Sequence, residues 1–326
     1  MSKRSLIVAA CAVLFVLYPL LFAGDGAWIR PSNYALNLGT IILLTAFIGQ
    51  SWNLAGGFAG LTSFGHALFF GTGAYCSTIL QTRYGINPWI GWLASIGSGA
   101  LIGGVLGFFA FRAGLRGSYF ALVTLAMAEM FRILANSVEI TRGGLGILIE
   151  LDRRPANMQF ADPIWFYYLA LAMVAVSIAV AIWLRRARFG ARLAAIRENE
   201  DAARALGVDV VREKIKVLAL SGAMCAAGGT FYAQKYLYID PWIAYGVDKS
   251  VEMLLVSMIG GAGTVYGPLI GSTVLLTLAE VTRALSDAPG LSLIIYGALL
   301  IVIVGFLPEG LVRLFRRRKR VAHAGG

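Results

Sequence analysis

Charge is scarce in this 326-residue chain: Asp, Glu, Lys and Arg together make 14% of it, against 58% apolar residues. That leaves too little polar surface to cover a soluble domain of this size, so the chain belongs in a bilayer. Histidine is scarcer still. His66 stands beside a glycine-rich run and His323 in the tail, too few ligands for a catalytic metal. The cysteines Cys11, Cys76 and Cys225 fall inside apolar runs without paired spacing, which excludes a disulfide or zinc framework. No Gly-x-Ser-x-Gly elbow occurs, and neither Ser63 nor Ser221 has a His/Asp set in its sequence context. A nucleotide-phosphate loop is missing too, because the stretch Gly260–Gly267 lacks the necessary lysine. If ATP drives this protein, another chain hydrolyses it, and no cofactor is expected. Long linkers and a second soluble domain are also absent, so residues 1–326 read as one membrane domain.

What is present is a series of apolar runs near the length of about 20 residues that spans a membrane. They are Leu6–Phe22, Tyr34–Trp52, Ala67–Leu80, Trp89–Phe111, Tyr119–Ala135, Ile164–Leu184, Ile215–Tyr236, Val251–Gly271, Ser272–Leu285 and Leu291–Leu307. An all-α bundle of about ten crossings follows. The first run follows Lys3-Arg4 and ends in small residues, as a signal peptide does, but its apolar core is longer than usual and it reads as an uncleaved helix.

The formal charge of +11 is distributed by side. Lys3 and Arg4, Arg112 and Arg116, the Lys/Arg of Arg185–Lys216 and those of Arg313–Arg320 account for 19 of the 28 cations. With ten crossings all four groups share one face, which the positive-inside rule makes cytoplasmic together with both termini. The basic stretch in the 308–326 tail is then an anchor on anionic lipid, and nucleic acid is not a partner.

The 185–216 loop has readable local chemistry. Asn199 suits an N-cap, Glu200 and Asp201 set negative charge in the first turn against the helix dipole, and Gly207 suits the left-handed position past the end. A two-turn helix results, with Ala202, Ala205 and Leu206 along one narrow apolar side. It is either a handle for the groove of a partner or a solvated helix on the membrane surface. Gly99, Gly103 and Gly107 repeat every fourth residue, the spacing that lets membrane helices approach closely. The clusters around Gly56, Gly57 and Gly60 and around Gly260, Gly261, Gly263 and Thr264 should instead break a helix, as walls of a transport path or as interfacial turns. Glu129 and Arg132, three apart within one run, can pair, and an intramembrane acid is a candidate path residue. Glu252 and the couple Glu280/Arg283 read as interfacial.

With the loop and the missing phosphate site in view, the sequence resembles the permease subunits of binding-protein-dependent ABC importers. Their cytoplasmic signature is Glu-Ala-Ala-x-x-x-Gly, and Asp201-Ala-Ala-Arg-Ala-Leu-Gly207 carries it with Asp in place of Glu. The wider wording is similar to the M-type subunit of the branched-chain amino acid group: Gly117-Ser-Tyr-Phe-Ala-Leu-Val-Thr-Leu-Ala126, Ala194-Ala-Ile-Arg-Glu-Asn-Glu-Asp-Ala-Ala203, Ser250-Val-Glu-Met-Leu-Leu255, Gly260-Gly-Ala-Gly-Thr264 and Phe306-Leu-Pro-Glu-Gly310. Arg142 departs from it, a cation where the group's Thr-Gly-Gly run is uncharged. The resemblance implies a path shared with a second, H-type permease, two ATPase subunits docked on the 185–216 loop, and a periplasmic binding protein that delivers amino acid across a bacterial inner membrane. Related systems carry urea or short amides. An ion-coupled secondary transporter, with Glu129 as its site, is the rival reading from the residues, and a membrane enzyme would need a His/Asp/Glu cluster that the chain does not offer.

Overall fold

In the computed structural model the described residues are 33–285 without interruption, with 15–18, 294, 297–298 and 310–311 besides. The expected crossing Leu291–Leu307, most of Leu6–Phe22 and most of the 308–326 tail therefore lie outside the described residues. Helices dominate: α1 (Asn33–Asn53), α2 (His66–Tyr84), α3 (Pro88–Arg112), α4 (Gly117–Ser137), α5 (Pro163–Arg186), α6 (Arg188–Glu198), α7 (Glu200–Ala205), α8 (Val210–Tyr236), α9 (Pro241–Tyr245), α10 (Val247–Gly260) and α11 (Gly267–Leu285). A π-helical turn, Leu54–Phe58, prolongs α1. The loop after α4 holds three short 3-10 turns and β1 (Ile147–Leu148), which pairs antiparallel with β2 (Tyr238–Ile239), setting Ile147 opposite Ile239.

Glycine decides which helices form the centre. On α3 a Cβ at Gly99 would lie 2.4 Å from the Gly222 carbonyl oxygen, and one at Gly103 2.6 Å from that of Leu218. On the other flank of α8, a Cβ at Gly229 would meet the Phe70 carbonyl at 2.0 Å, and one at Gly73 would meet that of Ala226 at 2.1 Å. Backbones of α2, α3 and α8 therefore touch directly, as the four-residue glycine spacing on α3 predicts.

The expected count of ten crossings is not confirmed among the described residues. Among the described residues five helical segments are long and apolar enough to cross a membrane: Tyr34–Phe58, Pro88–Arg112, Gly117–Ser137, Pro163–Arg186 and Val210–Tyr236. The run Ala67–Leu80 does form α2, but its first half is buried on every side by protein, so its composition is not set by lipid. Val251–Gly271 and Ser272–Leu285 do not form two successive crossings. The first run breaks at Gly261 (φ 118°) and Gly263 (φ 75°), and α11 starts at Gly267 and absorbs the second run. Hydropathy is blind to these two backbone conformations, which L side chains avoid. The 14 residues of α10 reach about 21 Å, short of a hydrocarbon core of about 30 Å. It packs back on α11 as a hairpin, where a Cβ at Gly271 would sit 1.9 Å from the Val256 carbonyl.

Candidate functional site

Two glycine-rich segments more than 200 residues apart meet at one joint. The side chain of Asn53, the last residue of α1, accepts a hydrogen bond at Oδ1 from the Gly263 amide (2.7 Å) and donates from Nδ2 to the Thr264 carbonyl (2.9 Å). Gly57 lies in the π turn between them: a Cβ there would be 2.0 Å from Asn53 Oδ1 and 2.3 Å from the Gly263 nitrogen. Arg197, near the end of α6, closes the joint from the other side, donating from Nη1 to the Gly57 carbonyl at 2.8 Å. Its stem runs beside Gly60, whose φ is +71°. Gly310, at the end of the Phe306–Gly310 motif, packs against the Gly261 backbone.

Of the residues in the two clusters expected as path walls or turns, the structure thus brings Gly57, Gly60, Gly261, Gly263 and Thr264 together. A Cβ at Gly56 would instead meet the Trp52 ring, and one at Gly260 the Gly267 carbonyl. Glu129 belongs to neither group: it pairs with Arg132 on α4. Asn53 and Arg197 were not singled out by the sequence, although an amide at the end of an apolar run beside glycines is a signal for Asn53.

Arg197 stands two residues before Asn199, the N-cap of α7, the candidate docking helix. Asn199 caps that helix, its Oδ1 accepting from the Ala202 amide at 3.0 Å. At the other end Gly207 takes φ +84°, its amide bonds the Arg204 carbonyl (3.0 Å), and the Val208 amide bonds that of Ala203 (3.1 Å). This is the Schellman arrangement, completed by the apolar contact of Val208 with the buried cluster of Ala203, Ile196 and Val210. So Ala203 is the residue that anchors α7 inward. Ala202, Ala205 and Leu206 stay exposed, Leu206 at 84%.

Charges fix the base of this helix. Glu200 bonds Lys214 of α8, itself only 5% exposed, and Arg116 from the α3–α4 turn at 3.2 Å. The hydrogen bond from Arg116 holds the Asp201 carboxyl below the usual carboxylate range. With a depressed pKa that contact is complete at neutral pH and is lost only as pH falls through the lowered value. Packing at the junction is looser. A cavity of about 170 Å³ opens between Gly60, Arg116, Arg197, Glu200 and Lys214, so the tie from α6 to the joint runs through the Arg197 hydrogen bond.

Ser63, His66 and Ser221 do come together, contrary to the separate contexts read from sequence. Ser221 Oγ gives its proton to the Ser51 carbonyl (2.6 Å) and so accepts from His66 Nε2 (2.8 Å), leaving Nδ1 to accept from Ser63 Oγ (3.0 Å). Both ring nitrogens are satisfied, all three residues are buried, and no carboxylate completes a nucleophilic set. The trio braces α2 against α1 and α8.

A profile described as "Branched-chain amino acid transport system / permease component" matches residues 34–304. The chain belongs to this permease family. Over 96% of its length the permease is 28% identical to the high-affinity branched-chain amino acid transport system permease protein LivM of Salmonella typhimurium, covering 76% of that protein, and 27% identical to LivM of Escherichia coli over the same shares. It is also 30% identical, over 57% of its chain and 56% of the relative, to the L-arabinose transport system permease protein AraH of Escherichia coli. The permease is thus a multi-pass inner-membrane transport subunit and not an enzyme; it works with other permease and ATPase subunits.

Proposed function

We propose that this permease forms, with a second H-type permease, the path of an importer for branched-chain or related amino acids, loaded by a periplasmic binding protein and driven by two ATPases held at residues 185–216. The observation that carries the reading is α7: capped at both ends, anchored beneath by Ala203 and Glu200, and offering Leu206 to solvent. A leucine so exposed on a charged cytoplasmic loop suits the groove of a partner. Asn199, Asp201, Ala202, Ala203, Ala205, Leu206 and Gly207 make up this docking element, and Arg197 carries its displacement to the glycine joint.

Burying a leucine is worth about 1.5–3 kcal/mol. Leu206→Glu should therefore weaken copurification of the ATPases roughly ten- to a hundredfold while the permease inserts normally. Undiminished copurification would leave α7 as a surface helix.

Orientation has its own check. Single cysteines at Glu198 and at Asn157, in a background lacking the native three, should react with an impermeant thiol reagent in intact spheroplasts only at position 157. Labelling at 198 would invert the arrangement and remove α7 from any cytoplasmic ATPase.

An ion-coupled carrier built on Glu129 is disfavoured because Arg132, paired with that carboxylate, repels a lone cation that brings no anion of its own. Sugar, urea or amide cargo is disfavoured by the same pair, which offers two full charges to a ligand that has none.

A further inference from the structure

α4 is the least buried of the five long apolar helices, and a pair of full charges sits on its open side. Glu129 lies about 18 Å along the helix from Gly117 and about 12 Å from Ser137, inside the spanning segment whichever end is outside. Its side chain is 40% exposed and that of Arg132 24%. Charge at this depth does not face hydrocarbon, so this flank of α4 faces water or another subunit. The guanidinium is held in place from two sides. Nε and Nη2 engage both Glu129 oxygens, at 2.9 and 2.5 Å, and the Trp242 indole of α9 stacks 5.0 Å from the guanidinium carbon. Nη1 finds no partner among the described residues, and the outer edge of the carboxylate is likewise open to a cation. Met130, Ile133 and Trp242 add exposed apolar surface around the pair.

We propose that Glu129, Arg132 and Trp242 form a transit site for the zwitterionic head of an amino acid, a step that rests on the reading of the permease as an amino-acid importer. The α-ammonium sits on the Glu129 carboxylate and the α-carboxylate on the free Nη1 edge of Arg132, so that the ligand dipole lies antiparallel to the protein's own pair. A guanidinium edge matches a carboxylate in shape as well as charge. An aliphatic side chain then lies against Trp242 and Ile133. Because Glu129 and Arg132 already satisfy each other, the ligand gains only the difference between one ion pair and a ring of them. Affinity is low, as a path that must release its cargo requires. Cargo without the paired charges, such as a sugar or an amide, gains nothing there.

The test uses the assembled transporter in proteoliposomes. A cysteine replaces Ala126, one turn below Glu129 on the exposed face, in a background lacking the native cysteines, and its modification by a thiol reagent is timed. Leucine should slow modification, whereas leucinamide, which lacks the carboxylate, and 4-methylpentanoate, which lacks the ammonium, should not. Glu129→Gln and Arg132→Gln should abolish that protection and lower leucine uptake roughly ten- to a hundredfold, as loss of a hydrogen bond to a charged group warrants, with binding-protein-stimulated ATP hydrolysis unchanged. Should a glutamine variant fail to assemble, Arg132→Lys keeps the charge without the fork and should show partial protection. Equal protection by all three compounds, or by none, overturns the site while leaving the importer reading intact. Wild-type proteoliposomes that carry no amino acid overturn the importer reading itself.

Discussion

Arg197→Ala is expected to lower transport roughly ten- to a hundredfold while the ATPases stay bound and keep hydrolysing ATP. The α7 surface is untouched by this change, because neither its caps nor its ion pairs with Arg116, Arg204 and Lys214 use Arg197. What disappears is the hydrogen bond from Nη1 to the Gly57 carbonyl, the link by which a displacement of α6 and α7 reaches the π turn. A hydrogen bond to a charged group contributes about 1.5–3 kcal/mol, enough to decide a conformational equilibrium of that size. The readout is substrate transported per ATP hydrolysed in proteoliposomes. A wild-type ratio would mean that the stroke enters the membrane elsewhere, and that Arg197 only braces the loop.

The second large effect is expected at Gly57. A valine there would drive its Cβ into Asn53 Oδ1 and the Gly263 nitrogen at the same time, with the π turn on one side and the α10–α11 turn on the other. Neither neighbour is the loose end of a flexible chain, so the joint must open and both Asn53 hydrogen bonds are lost. Overpacking of about 1–3 kcal/mol adds to about 1 kcal/mol for each bond. Gly57→Val should therefore lower the melting temperature of the detergent-solubilised permease and abolish uptake. Gly104→Val is the control: on α3, with nothing within 4 Å of its Cβ, it should change neither. Equal behaviour of the two variants would show that the joint does not need the close approach.

The docking element was legible because its determinants are local. Asn199 caps an amide three residues on and Gly207 ends the helix by its own φ, so neither depends on the rest of the fold. The side of α7 that faces inward was not legible. A helical wheel groups Ala202 with Ala205 and Leu206 but is silent on Ile196 and Val210, which select Ala203 as the anchor. The Glu129/Arg132 couple could be read from a spacing of three, whereas Trp242 arrives from a helix far along the chain. Hydropathy joined α10 to the start of α11 because glycine scores as neutral filler, although Gly261 and Gly263 turn the backbone there. The joint itself needed the fold: an amide on α1 and backbone groups near residue 263 have no sequence relation until the hairpin lies against the π turn.

Contact between α2, α3 and α8 at bare backbone also constrains how the permease can move. Helices separated by side chains can slip, since rotamers on both sides readjust. Here the carbonyls of Gly222, Leu218, Phe70 and Ala226 sit where a Cβ would be, so no layer of side chains lies between the helices to readjust. These three helices are therefore a stator. Any rocking during the transport cycle falls to the elements outside it, α4 with its open flank and the α10–α11 hairpin, and Gly261 and Gly263 supply the bearing on which that hairpin can turn.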